Sequence, residues 1–368
     1  MTALQFSYEE LSYSVSTDRA TDLEWLTENL APAFVMEASS GHDLAIDCRF
    51  DAHCFEALLA EVEAGSRAPL AVFSMDGRAA EYSGLLSGGA PGLVYDAELE
   101  CIYRFNPDCN AVSVIAATWR PSVRVGLLRI VREHVSQRLR RGEVLHQHAA
   151  AASGKAGAVL ICGSRRAGKT TLLGQLLRHG FDYIANDRSL IALSGDGELR
   201  VSGMPTVVSV RPRTTELLPE LSLAARGRWF ARDTLSEVQA IASHKLESGT
   251  PGRLSLSPAQ FCELLGRRQL AGSRLRYLLF PRVDVGATGI ALKPLGTDTA
   301  RRRLLDNTFA LSRTIFTPQG QSPLSHQHGE GLRAEVVERC ESFEVTLGTG
   351  AINDTEKLRF LWQHDSAA

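Results

Sequence analysis

The chain has 368 residues, 44% of them hydrophobic and 22% charged, an ordinary globular balance that excludes a disordered chain, a collagen-like fibre and a small disulfide-built scaffold. Lys plus Arg number 40 and Asp plus Glu 42, a formal net charge of -2, so the global basic field of a nucleic-acid binder is missing. At roughly 100–200 residues per domain, the length points to two domains or three.

The first ten residues carry neither a basic stretch nor an apolar core, which reads against a secretory signal, and no apolar run approaches the roughly 18 residues of a membrane helix. The cysteines, Cys48, Cys54, Cys101, Cys109, Cys162, Cys262 and Cys340, are odd in number and form no Cys-x-x-Cys pair. They read as reduced packing thiols of a cytoplasmic chain, not as a zinc site.

Residues 1–118 mix short strand patterns with turns. Leu70 to Ser74 precedes Met75-Asp76-Gly77, where Asp-Gly signals a hairpin, and Ala111 to Ala116 is a further strand. Gly84 to Gly92 reads as a loop; its Leu-Ser-Gly-Gly echoes a transporter ATPase signature but precedes the phosphate loop instead of following it. Residues 121–142 predict one amphipathic helix with Leu128, Val131, Val135 and Leu139 on its apolar face, a basic last turn at Arg138, Arg140 and Arg141, and Gly142 after its end.

Ala158 to Cys162 is a short apolar run that reads as a buried strand, and a helix with Leu172, Leu173, Leu176 and Leu177 on its buried side follows it. Between them, Gly163-Ser164-Arg165-Arg166-Ala167-Gly168-Lys169-Thr170 matches the G-x-x-x-x-G-K-[ST] phosphate loop in full, in the strand-to-helix context the motif requires. Backbone N–H groups from Arg166 to Thr171 can curl around phosphate oxygens at the positive end of the helix, and the glycines allow close approach. Lys169 is expected to reach the β- and γ-phosphates of ATP and the Thr170 hydroxyl to ligate Mg²⁺. Arg165 and Arg166 stand where small residues are common, and either project into solvent or reach a phosphate or an acidic partner.

Further on, residues 181–185 predict a strand ending at Asn186-Asp187. Strands at 189–192 and 198–201 flank a turn at Gly195-Asp196-Gly197, and 206–210 is another strand. Ser257-Pro258-Ala259-Gln260 carries the signature of a capping box, and 275–280 is a further strand.

These pieces together resemble the kinase domain of HPr kinase/phosphorylase: His148-Ala149-Ala150-Ala151, the strand to Cys162, the loop with Lys169-Thr170-Thr171, His179-Gly180-Phe181 and Ala185-Asn186-Asp187-Arg188. The family carries a His about fifteen residues before its first loop Gly, where His148 stands. Arg200 to Thr206 is similar to its second signature. The resemblance covers roughly residues 144–212. It implies ATP-dependent phosphorylation of a seryl hydroxyl on a protein or peptide. Asn186 stands where the family has the first Asp of a pair, Arg200 where it has a metal-holding Glu, and Ser202-Gly203 where it has Arg-Gly. These departures weigh against the family's phosphorylase activity and against HPr as the acceptor.

Asp187, at a strand end beside the phosphate loop, is the candidate proton acceptor and Mg²⁺ ligand; the plainer reading makes it a turn cap or a partner of Arg188. His148 is the third candidate catalytic residue with Lys169, either orienting the carboxylate or a partly buried ring. Asn186 cannot act as a base, and its amide either orients a substrate group or serves structure. His326-Gln327-His328 places two imidazoles on one face of a strand, but without a third ligand it reads as a loop. Arg211-Pro212-Arg213 and Pro251-Gly252-Arg253 are weaker candidates for substrate contact.

The expectation is an α/β protein: a strand-rich N-terminal domain at 1–120 for acceptor docking, a phosphate-loop kinase domain of the HPr-kinase type at 121–320, and an extension at 321–368. Its cofactors are ATP and Mg²⁺. The alternatives are a nucleotide-binding switch without phosphotransfer and a small-metabolite kinase. No nucleic-acid or membrane partner is expected, and self-association is left open.

Overall fold

Ala158, Leu160 and Cys162 point to one face of a sheet and Val159 and Ile161 to the other, and all five are buried. A strand covered on both sides carries no polar alternation, which is why this stretch reads as a continuous apolar run. The computed structural model describes residues 2–37, 41–65, 68–75, 78–87, 90–97, 99–139, 144–211, 214, 217–223, 254–309, 316, 329–350 and 356–361. It is a mixed α/β protein of two compact units, Met1–Gly142 with Ala310–Ser325, and Glu143–Phe309 with His326–Ala368.

The first unit comprises β1 (Thr2–Tyr8), β2 (Leu11–Thr17), α1 (Ala20–Leu30), β3 (Leu44–Phe50), α2 (Ala52–Ala64), β4 (Ala68–Met75), β5 (Arg78–Ser87), β6 (Ala90–Asp96), β7 (Cys101–Phe105), β8 (Ala111–Ala116) and α3 (Pro121–Leu139). The strands form one sheet in the order β1-β2-β3-β8-β7-β6-β5-β4. β2, β3 and β8 are mutually parallel and the other neighbours antiparallel. The hairpin at Asp76-Gly77 is seen in the pairing of Met75 with Arg78, the two turn residues lying outside the described ones. The expected loop at 84–92 is instead the β5–β6 hairpin. Gly84 pairs with both Ala68 and Val94, and Ser87 with Ala90, so cross-strand hydrogen bonding overrides the glycine-rich composition.

Helix α3 starts as expected but is buried around most of its circumference. Besides Leu128, Val131 and Val135, it buries Arg124, Glu133, His134 and Ser136, while Leu139 is only half-buried. Arg124 Nε donates to Asp22 Oδ1 of α1 at 2.7 Å, and Arg129 Nη1 donates to Asp96 Oδ2 at 2.5 Å. Of the expected basic last turn, Arg138 is exposed and 140–142 lie outside the described residues. Because α3 packs on α1 and β3, it belongs to the first unit, so the units run differently from the expected 1–120, 121–320 and 321–368.

The second unit comprises β9 (Leu145–Gln147), β10 (Ala149–Gly154), β11 (Gly157–Cys162), α4 (Lys169–Arg178), β12 (Asp182–Ala185), β13 (Ser189–Leu193), β14 (Leu199–Gly203), β15 (Val208–Val210), α5 (Pro219–Leu223) and β16 (Leu254–Leu256). It continues with α6 (Pro258–Leu264), β17 (Gly272–Thr288), β18 (Ile290–Pro294), α7 (Thr297–Asp306), α8 (Glu330–Arg339), β19 (Glu341–Thr349) and a 3₁₀ helix, Glu356–Leu361. The main sheet runs β12-β10-β11-β17-β14-β13-β9, with β19 also on β17 and β18 on β19. β11, β17 and β19 are parallel neighbours. One face is covered by the α4 leucines with Val208, Leu256 and Phe261. The other is covered by Ala300 and Leu304 of α7 and Leu332 and Val336 of α8. The alanine run 149–152 is a central strand whose small side chains fit under both layers. Ser257 caps α6 with the full reciprocal capping box to Gln260. β17 is far longer than the expected 275–280, because β19 accompanies it beyond the end of β11.

All cysteines in the chain are free thiols, and Cys48, Cys101, Cys162, Cys262 and Cys340 are buried. Burial pushes the Cys162 thiol up to about 12, which makes it inert packing. Among the described residues, no helix is long and apolar enough to cross a membrane. His326 to His328, Pro251 to Arg253 and Pro212-Arg213 lie outside the described residues.

Candidate functional site

β10 runs antiparallel to β11 on one side and to β12 on the other, so β11 and β12 point the same way. The start of β10, the end of β11 and the end of β12 therefore meet at one edge of the sheet. His148, the phosphate-loop sequence and Asn186-Asp187 sit at those three places. An edge where parallel strands end is where open α/β sheets place ligands.

The loop leaves β11 at Gly163 and enters α4 at Lys169. Ala167 N–H closes a turn on Ser164 O at 3.2 Å, and Leu172 N–H bonds Gly168 O at 2.9 Å. Arg166 at φ +73° and Gly168 at φ +101° put two left-handed residues into the loop. Such alternation turns successive N–H groups toward one concavity. Gly168 has no room for a side chain, since a Cβ there would stand 2.7 Å from Leu347 Cδ1 and 3.3 Å from Val283 Cγ2.

Lys169 is 8% exposed, and its Nζ bends back over the loop to donate to Gly163 O at 2.6 Å and to Ser164 O at 3.3 Å. Ser164, Arg165 and Arg166 are exposed, which agrees with the outward reading of the two arginines, while Ala167, Thr170 and Thr171 are half-buried. The Thr171 hydroxyl pairs with that of Thr214 at 2.9 Å, leaving Thr170 as the hydroxyl next to the lysine.

His148 Nε2 stands 3.1 Å from Asp187 Oδ1, the hydrogen bond expected when the imidazole N–H donates to the carboxylate. The His148 side chain is 12% exposed and that of Asp187 36%. Burial of the Asp187 carboxyl pushes its pKa up, but the hydrogen bond and charge of His148, with Arg188 and Lys169, outweigh it and hold the group below its ordinary value. Asp187 is thus an ionised carboxylate at neutral pH.

Asn186 serves structure. It is 7% exposed, its Oδ1 accepts from Tyr183 Oη at 2.8 Å and Thr206 Oγ1 at 2.9 Å, and its Nδ2 points to Val207 O at 3.4 Å. Arg200 is exposed on β14 opposite Ala192 and Arg274. Gly203 is sterically required, because a Cβ there would lie 2.2 Å from Ile184 O.

Residues that shape the site without a signal in the motif are Asn307 and Phe309. Asn307 O accepts the His148 N–H at 2.7 Å, and the Phe309 ring lies 5.7 Å from the imidazole and 5.2 Å from the Arg188 guanidinium. They lie about 160 residues downstream of His148, and no spacing rule reaches that far.

Among the described residues, no group of three or more His, Cys, Asp or Glu could hold a metal. Thr170, a hydroxyl, and Asp187, an ionised carboxylate, are the two groups here that could each give an oxygen to Mg²⁺, which takes one or two protein ligands and completes its octahedron with water and phosphate oxygens. No protein-family model and no curated protein matches the chain.

Proposed function

We propose that the second unit is an ATP-dependent phosphotransferase of the HPr-kinase type, acting on a hydroxyl, namely a Ser of a protein or peptide. The observation that carries this reading is the meeting of three elements at one sheet edge. These are a glycine-hinged phosphate loop with its lysine folded inward, a helix N-terminus, and an ionised carboxylate hydrogen-bonded to His148. The cradle fits a polyphosphate: the left-handed residues aim backbone N–H groups inward, and the crowding at Gly168 lets nothing but backbone line the loop there.

Bound Mg²⁺ would supply charge neutralisation for the phosphates from Thr170 and Asp187. Lys169 exchanges its bonds with Gly163 O and Ser164 O for phosphate oxygens, and the loop N–H groups hold the rest. Asp187 Oδ accepts the proton of the acceptor hydroxyl. His148 holds the carboxylate in place and keeps it ionised. Phosphoryl transfer passes through a loose transition state, so positioning and charge supply most of the rate. Asn186, saturated by its two hydroxyl donors, contributes no proton chemistry. The site therefore has one carboxylate at this position, suited to taking a serine proton and poorly suited to returning one. The reading is a forward kinase with little phosphorylase activity, whose acceptor the strand-rich first unit helps recruit.

The test is Asp187→Asn. ATP binding is expected to persist by calorimetry, while transfer of labelled phosphate to a seryl acceptor falls about 10²–10⁴-fold. Undiminished transfer by this variant refutes the assignment of the base. ATP binding by the wild type with no transfer to any seryl protein, peptide or metabolite supports a nucleotide-binding switch instead.

A further inference from the structure

β12 pairs with β10 as far as Ala185, and β11 pairs with β10 as far as Cys162, so Asp187 and the phosphate loop both lie beyond the last residues that the sheet holds. The chain from Met204 onward is fastened to both. On the carboxylate side, the residues before and after Asp187 are tied to it. Arg188 O accepts the Met204 N–H at 3.0 Å, Asn186 Oδ1 accepts the Thr206 hydroxyl at 2.9 Å, and Asn186 Nδ2 points to Val207 O at 3.4 Å. β15 follows, with Val208 and Val210 fully buried in one core with the α4 leucines. On the loop side, the Thr214 hydroxyl pairs at 2.9 Å with that of Thr171 in the first turn of α4. Leu218, whose N–H bonds Thr214 O at 3.1 Å, packs on α4 so closely that a Cβ on Gly174 would stand 2.4 Å from its Cδ1. Thr206 and Thr214 are both buried, and each spends its hydroxyl on a residue adjoining a candidate site residue.

We infer that Thr206 and Thr214 are positioning residues of the transfer reaction: through their hydroxyls, one stretch of chain fixes the carboxylate of Asp187 relative to the phosphate loop. The inference rests on the phosphotransferase reading above. Neither threonine takes part in the chemistry. Thr206 acts through Asn186, which precedes Asp187, and Thr214 acts through Thr171, which follows Thr170. Such a link governs rate, because the proton acceptor must stand within hydrogen-bond reach of a hydroxyl that is itself in line with the γ-phosphate, and a displacement of about 1 Å can cost about 100-fold. ATP affinity depends on the loop, which the packing of the α4 leucines keeps in place. The link also gives Asn186 its reason. An amide accepts from Thr206 and donates to Val207 O at once, whereas an ionised carboxylate only accepts.

The experiment uses the full chain with Mg²⁺, labelled ATP and a pool of peptides carrying one fixed Ser between randomised positions. Thr206→Val and Thr214→Val remove the hydroxyl at nearly constant side-chain shape. Each is expected to lower turnover at saturating ATP about 10- to 100-fold, while the ATP Kd from calorimetry stays within about twofold of the wild type. Thr206→Ser and Thr214→Ser keep the hydroxyl and are expected to keep most of the turnover. The double valine variant is expected to be little slower than the slower single one, because once one fastening is lost the other no longer positions Asp187. A purely structural role would lower the urea midpoint and leave the turnover of folded enzyme unchanged. That result, serine variants as slow as the valine ones, losses that multiply in the double variant, or a loss of ATP affinity in place of turnover overturns the inference and leaves the phosphotransferase reading standing. ATP binding by the wild type without labelling of any peptide in the pool overturns that reading, and the inference with it.

Discussion

Gly168→Ala and Gly180→Ala form a matched pair, because both glycines have nearly the same backbone, φ +101° and φ +98°, in opposite surroundings. An L-residue in this region costs roughly 1–2 kcal/mol whatever surrounds it. At Gly180 nothing lies within 4 Å of an added Cβ, so Gly180→Ala should lose about that much stability and no more. At Gly168 the methyl would meet Leu347 Cδ1 at 2.7 Å, about 1 Å inside normal carbon contact, and Leu347 is 7% exposed with little room to retreat. Overpacking of this kind adds about 1–3 kcal/mol, for a total of about 2–5 kcal/mol. Moving the loop away from β19 relieves the collision but shifts the Lys169 and Thr170 N–H groups off the phosphate position, where each 1.4 kcal/mol lost is about a tenfold loss of affinity. Urea unfolding and ATP calorimetry on both variants read the two effects. Equal destabilisation by the two substitutions, or unchanged ATP affinity in Gly168→Ala, would refute the claim that the loop is held against Leu347 and shaped for phosphate.

Lys169→Ala should weaken Mg-ATP strongly with the far-ultraviolet circular dichroism unchanged, since the lysine donates to carbonyls of the loop and not to the sheet or its covering helices; equal affinity in calorimetry would sink the phosphate-loop reading. With Asp187 held below its ordinary value, transfer should stay level through the usual carboxylate range and fall only at lower pH, as the carboxylate takes up a proton. His148→Ala removes the main group opposing burial, so the acid limb of the pH–rate profile should move to higher pH; a limb that stays in place would count against the pair. In the first unit, burial and Arg138 push His134 down to about 4, against the slight opposing influence of Asp43. A histidine depressed in the folded state stabilises fully above its unfolded value near 6.5, and that stability drains away as pH falls through its folded value. Between those limits, about 3 kcal/mol should be lost, measured by urea unfolding at pH 7 and at pH 4. His134→Phe should flatten that dependence, and an unchanged slope would show that another group causes it.

Much of this protein was legible because the signals are local. The strand, glycine loop and helix around 163–170 declare themselves within a short stretch, the α4 leucines by their spacing, α6 by Ser257 and Gln260, and the 75–78 and 193–199 hairpins by their turn residues. Hydrogen bonds and steric rules that act over three or four positions write themselves into short patterns. The glycines at 84–92 misled for the same reason in reverse, since composition there favours a loop and only pairing with β4 and β6 makes it strand. The chemistry of the site was decided by tertiary structure. His148 and Asp187 are 39 residues apart and touch only because β10 lies between β11 and β12. Asn186 looked like a lost carboxylate and is a buried hub, because Thr206, 20 residues on, folds back to donate to it. The exposure of Val283 and Val285 has no signal in the sequence; it follows from β17 running on past the end of β11 and losing its regular register with β19 after Val283. Which side chains meet across a sheet depends on strand order and register, and these are set by the packing of both faces at once, a property of the whole unit that no short stretch of chain contains.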